Sequence, residues 1–133
     1  MPDTALATQP VSGFIGAKID LDLSGSLDDG IHKALNDALD EHNVLFFCGQ
    51  DLDPQGINHV TEVFAPLIRL PYISPSPNDP DTIAVLKEAS GAKITNFGNG
   101  WYFGFSFFDE PPIGSVLVPP HDGDALLATQ TSG

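Results

Sequence analysis

The sequence predicts an α+β fold in which helices pack against a sheet or barrel. Three observations predict it. The first half alternates strand-like and helix-like stretches. The second half holds several short strand-like stretches divided by Gly and Pro turns. Hydrophobic residues make up 41% of the 133 residues and charged residues 17%, the balance of a chain with a core and not of a disordered one.

The elements follow in order. Residues 1–12 are polar, hold Pro2 and Pro10, and read as a loose N-terminal arm. Over residues 16–23, Ala17, Ile19, Leu21 and Leu23 alternate with Lys18, Asp20 and Asp22, the period of a half-buried strand. Ser24-Gly25-Ser26 is a turn. Ser26 and Asp29 have the spacing of a capping box, with Asp in place of the usual Glu or Gln. The helix that follows spans residues 27–41. Ile31, Leu35, Ala38, Leu39 and His42 share its apolar face, and Asp28, Lys33, Asn36, Asp37 and Glu41 lie mostly opposite. Asp28 and Asp29 suit the positive end of the helix dipole, and His42 the negative end.

Val44-Leu45-Phe46-Phe47-Cys48 is an unbroken apolar run, which predicts a central strand covered on both faces. Cys48 is the only cysteine, so no internal disulfide can form, and its setting predicts a buried, inert thiol. Asp53 as N-cap and Pro54 at the first helical position open a second helix. Ile57, Val60, Phe64 and Leu67 share its buried face. Residues 71–81 hold four prolines and read as a surface loop. Short strands are then expected at 83–86, 94–97, 101–108, 115–118 and 125–129.

Charge narrows the partners. Eighteen acidic residues face five basic ones, a formal charge of -13. Nucleic-acid binding requires Lys and Arg to neutralise phosphates, and an anionic membrane repels the same surface. Solubility accounts for the acidity. The N-terminus has no basic stretch followed by an apolar one, and no apolar run is long enough to span a bilayer. A cytoplasmic protein with no nucleic-acid or membrane partner is expected.

Few side chains suggest chemistry on their own. His121, Asp122 and Asp124 are metal-ligand types close together, but a Pro-Gly turn explains them. His32 and His59 fall on helices and read as solvated. No nucleophile turn marks a Ser-His-Asp arrangement. Gly98-Asn99-Gly100 lacks the strand-loop-helix context and the Lys of a phosphate loop. A turn at a strand end explains Asp109-Glu110.

Three segments carry a resemblance. The first is Ile15-Gly16-Ala17-Lys18-Ile19-Asp20-Leu21, then a helix, then His42-Asn43-Val44-Leu45-Phe46-Phe47. The second is Leu52-Asp53-Pro54-Gln55, opening a helix that leads to Val63-Phe64-Ala65-Pro66-Leu67. The third is Asn96-Phe97-Gly98-Asn99-Gly100-Trp101, through Phe105-Ser106-Phe107 and Glu110-Pro111-Pro112-Ile113-Gly114-Ser115, to Pro119-Pro120-His121-Asp122-Gly123-Asp124. In this order, from residue 12 onward, the chain resembles the N-terminal portion of a taurine dioxygenase-like iron(II)/2-oxoglutarate-dependent dioxygenase. The resemblance implies a double-stranded β-helix, or jelly roll, on which the strand-helix-strand-helix segment packs. It implies oxidative hydroxylation of a small organic acid, such as a sulfonate or chlorophenoxy acid, while 2-oxoglutarate becomes succinate and carbon dioxide. It implies iron(II) held by a His-x-Asp pair and a distant His, and 2-oxoglutarate held by the metal, a Thr and a distant Arg. His and Asp two residues apart on a strand face the same way. With a second His they fill three positions of an octahedral iron and leave three open.

This chain departs from that pattern at each position it contains. Tyr102 stands at the family's His and Gly104 at its Asp. A tyrosine stays neutral until about pH 10, so it is a poor iron(II) ligand near neutrality. Gly104 has no side chain. The family's Gly-Asp-Thr reads Gly123-Asp124-Ala125, so the Thr position is Ala125 and the hydroxyl is lost. A few family residues between Leu117 and Pro119 are also absent. By the resemblance, the second His, the Arg and the strands that close the barrel fall beyond Gly133.

The expectation is a truncated dioxygenase-like domain over residues 13–133, with an incomplete barrel, no catalytic residue identified, and no iron(II) or 2-oxoglutarate bound by this chain. Trp101 to Phe108 either lines an apolar pocket or fills with core, and in an open barrel it becomes an exposed edge. Four readings follow. They are an enzyme lineage with a defunct site, a binding or regulatory module that keeps the apolar cavity or pairs with an intact homologue and supplies the missing strands, a truncated gene product or fragment with no function of its own, and a residual dioxygenase with unidentified ligands or completed by another chain. The partners expected are a second copy of the chain or an intact homologue.

Overall fold

The alternation after Gly16 becomes β2 (Ala17–Ile19), with Ala17 and Ile19 buried and Lys18 exposed between them. The structure is a computed structural model and describes residues 6–71, 73–85, 106–119 and 126–132. The chain divides into two compact units, Met1–Leu52 and Asp53–Gly133.

In the first unit, β2 pairs antiparallel with β1 (Thr8–Pro10) and parallel with β3 (Leu45–Phe46). The result is a mixed sheet in the order β1-β2-β3. Thr8–Pro10 is therefore a strand, against the loose arm expected for residues 1–12. Its place at the sheet edge suits Pro10, which has no N–H to give to a second neighbour. Val11 N–H donates to Gly16 O at 2.9 Å and closes the connection. Gly16 sits at φ +94, and a Cβ there would lie 3.1 Å from the Phe46 ring, so glycine is needed both for the turn and for the approach.

The first helix, α1, spans Asp29–His42. Its N-cap is Asp28 and not the expected Ser26, because the capping oxygen must reach an N–H two or three residues on. Asp28 is extended, at φ -81 and ψ 171, and accepts from Ile31 N–H at 2.9 Å. Leu35 and Ala38 are buried, and Ile31, Leu39 and His42 are half-buried, so the expected face points inward. Asn43 ends the helix in the left-handed region at φ 62, donating its N–H to Leu39 O.

The apolar run after α1 differs from expectation. Only Leu45–Phe46 forms a strand, at the end of the sheet order. Val44 is 40% exposed, Phe46 is 47% exposed, and the Cys48 thiol is exposed and not buried. An edge strand has one neighbour, so an apolar run there is covered on one side only. Gln50 then binds the strand ends together. Its amide donates to Leu21 O at 2.9 Å and Cys48 O at 3.1 Å and accepts from Leu23 N–H at 2.8 Å.

The second unit opens with α2 (Pro54–Glu62), capped as expected by Asp53, which accepts from Gly56 N–H at 2.7 Å. Ile57 and Val60 are buried. The helix stops at Glu62, so Phe64 and Leu67 lie beyond it and are half-buried. β4 (Ile83–Val85), β5 (Pro112–Val118) and β6 (Leu126–Ser132) form an antiparallel sheet in the order β4-β6-β5. α2 lies close to β6 and β5. β5 starts three residues before the expected 115, and β6 runs three residues past the expected 129. Ser106 to Glu110, partly expected as strand, are turn and bend, and residues 94–97 and 101–105 lie outside the described residues.

Candidate functional site

The positions that the sequence singles out for metal and co-substrate, Tyr102, Gly104 and Ala125, lie outside the described residues, as do His121, Asp122 and Asp124. β6 begins immediately after Ala125, with Leu126 opposite Val85 and Leu127 opposite Val118. β6 therefore starts at the end where β4 and β5 both finish. The approach to β5 carries Phe107 and Phe108, whose rings meet edge to face at 4.8 Å between centroids. Phe107 is 70% exposed, so this part of the aromatic segment fills no core.

Among the described residues of the second unit, a hydrogen-bonded polar cluster lies between α2 and β4. Asp79 is buried and accepts from Asn58 Nδ2 at 2.9 Å and from Asp81 N–H at 2.8 Å. The buried Thr82 hydroxyl donates to Asn58 Oδ1 at 3.4 Å. Arg69, the only arginine of the chain, donates to both carboxylate oxygens of Asp81, at 2.7 and 3.4 Å. The hydrogen bond to Asp81, and then its charge, holds the guanidinium pKa above its ordinary value. Asp79 and Asp81 thus act as acceptors that shape the loop between α2 and β4. Sequence reasoning identified the loop through its prolines and missed the cluster, whose only local signal is Asn78-Asp79-Pro80-Asp81, a run of turn formers.

The remaining candidates separate clearly. His59 is exposed, as expected for a solvated helix position. His32 differs, because its Nε2 is buried and has no hydrogen-bond partner. Asp109 and Glu110 are exposed in a bend before β5. In the first unit, the Ser24 hydroxyl and N–H both donate to Asp22, at 2.6 and 2.9 Å, and hold its carboxyl below the ordinary 3.8. Among the described residues, no group of three or more His, Cys, Asp or Glu could hold a metal ion. No helix among them is long and apolar enough to cross a membrane.

A facial iron triad needs imidazole and carboxylate donors. At the positions implied by the resemblance the chain offers a phenol and a hydrogen atom, Tyr102 and Gly104. At the position that the resemblance implies for the co-substrate hydroxyl, the chain has the methyl group of Ala125. These residues do not fit iron(II) with chelated 2-oxoglutarate.

Comparison with known proteins bears on the whole of this arrangement. The profile described as Taurine catabolism dioxygenase TauD, TfdA family matches residues 7–126. An alkylsulfatase of Acinetobacter baylyi is 33% identical over 98% of this chain and 42% of its own length. An alpha-ketoglutarate-dependent sulfate ester dioxygenase of Pseudomonas putida is 34% identical over 96% of this chain and 46% of its own. The chain therefore spans less than half the length of the curated relatives it matches. A taurine dioxygenase structure from Burkholderia xenovorans superposes with a TM-score of 0.65 at 22% identity, covering 88% of this chain and 42% of that one. At that identity the likeness is one of fold.

Proposed function

The chain belongs to the taurine catabolism dioxygenase TauD, TfdA family, and from that premise we propose that it keeps part of the family's fold without its iron-dependent oxygenase chemistry. The observation that carries this reading is the pair Tyr102 and Gly104 at the positions of the metal-binding His and Asp. Ala125 supports it, since a methyl group cannot donate to the co-substrate. In this reading the two sheets and two helices are a portion of the jelly roll with its N-terminal helices. The relatives act, by their names, on sulfate esters, so an organic sulfate or sulfonate is the ligand class for any binding role that remains.

The test is an anaerobic titration of the folded chain with iron(II) and 2-oxoglutarate, followed by the visible charge-transfer band of the chelated co-substrate. No band is the expected result. A band of stoichiometric strength overturns the proposal and assigns donors to Tyr102, His121 or a second chain. Calorimetry with a short-chain alkyl sulfate, run without metal, separates a retained binding role from none.

A further inference from the structure

We propose that the fold of the first unit depends on ionic strength, and that the C-terminal turn of α1 is the place where dissolved salt holds it closed. The chain carries eighteen Asp and Glu and five Lys and Arg. One cation neutralises one carboxylate, so at least thirteen carboxylates have no cation of the chain to pair with, wherever the residues outside the described ones lie. Two of the three cations among the described residues, Lys33 and Arg69, already pair with Asp37 and Asp81. Self-repulsion of this kind destabilises a compact state, and salt screens it.

The repulsion falls where a helix tolerates it least. α1 ends with Asp40 and Glu41 in its last turn, at the negative end of the helix dipole, where His42 is the only basic residue. Asp37 lies three and four positions before them, and like charges at those spacings are neighbours that repel. Asp40 and Glu41 are exposed, and among the described residues neither has an ion-pair partner. The first turn of α1 has the opposite balance, because Asp28 and Asp29 lie at the positive end of the dipole. The C-terminal turn also anchors the sheet. Asn43 N–H donates to Leu39 O at 2.7 Å, Gly16 N–H donates to His42 O at 2.9 Å, and Ala17 N–H donates to Val44 O at 2.9 Å. The register then continues with Ala17 opposite Leu45, where β2 meets β3. Opening this turn removes the bonds that begin the β2–β3 pairing, so low salt loosens the unit from this end.

The test is amide hydrogen exchange of the full chain, read by NMR at Gly16, Ala17 and Asn43, together with its melting temperature. Both are measured between about 0.01 and 0.1 M sodium chloride, where the Debye length falls from about 30 to about 10 Å. The expected result is a melting temperature that rises with salt. Protection at the three amides should rise about three- to thirty-fold, the effect of two charges at a helix end. A chain unfolded at the lower salt that gains native dichroism at the higher one is the same result at its limit. Choline chloride should act as sodium chloride does, since screening depends on ionic strength and not on the ion. Asp40→Asn with Glu41→Gln should be well protected already at the lower salt and gain little more. Asp109→Asn with Glu110→Gln makes the same change in net charge in the second unit and should leave the salt response of Gly16 and Ala17 in place. Melting and protection that ignore salt, or fall with it, overturn the proposal, as does a chain unfolded at both concentrations. A rise with sodium and not with choline overturns screening in favour of a bound cation. An equal effect of the two double variants overturns the assignment to α1.

Discussion

Asp28 and Asp53 each accept an N–H three residues on, and each does so from an extended backbone that is not yet helical. An oxygen at this position satisfies one of the donors that the first helical turn leaves without a partner. Asp28→Ala should lower stability by about 1 kcal/mol, read as a shift of the urea midpoint with an unchanged slope. Asn58 is a different case, because its amide donates to a buried carboxylate. Asn58→Ala leaves Asp79 short of a donor and should cost about 1.5–3 kcal/mol, measured in the same way. Asp22 brings a pH dependence. Its folded pKa lies below the ordinary 3.8, so its contribution is fully present above 3.8 and is lost as pH falls through the folded value. The gap in melting temperature between wild type and Asp22→Ala should therefore narrow as pH falls below 3.8, and a gap that widens there would contradict the assignment.

At the scale of elements, burial decides what a helix or strand contributes. α1 presents Leu35 with no exposed surface, flanked by Ala38 at 7%. Leu35→Ala removes a fully buried side chain and should cost about 2–5 kcal/mol, depending on how far the cavity collapses, with calorimetric melting as the readout. The helices were legible because their signals are local. Asp53-Pro54 names its own helix start, and the spacing of Leu35 and Ala38 names its own buried face. The strand Leu45–Phe46 was legible in place and misread in environment. An apolar run reports that a segment avoids water, but the number of neighbouring strands is a property of the sheet. Cys48 was misread for the same reason, and so was His32, whose Nε2 is buried by neighbours that no helical period reveals.

At the scale of the molecule, the family assignment and the proposed loss of the metal donors pull in different directions. Residues 7–126 match a dioxygenase family, while in the proposed reading Tyr102 and Gly104 stand where the donors for its iron would be. Replacing two donors does not rebuild the rest of the site. The only arginine, Arg69, is held by Asp81, and in the same reading Ala125 stands at the position of the co-substrate hydroxyl. Tyr102→His combined with Gly104→Asp in this 133-residue chain is therefore expected to release no succinate from 2-oxoglutarate. Succinate above the wild-type background, measured by chromatography, would sink that expectation.

The sequence by itself determined the class of fold, the two helix starts or their near neighbours, and the proline loop. These are carried by single residues or by spacings of a few positions, where backbone sterics and side-chain chemistry act locally. Tertiary structure alone decided that Thr8–Pro10 pairs with β2, that Leu45–Phe46 ends the sheet order among the described residues, and that Asn58 reaches Asp79 across 21 positions. Each of these joins groups distant along the chain, and free energy of that kind depends on which surfaces meet once the backbone has closed on itself.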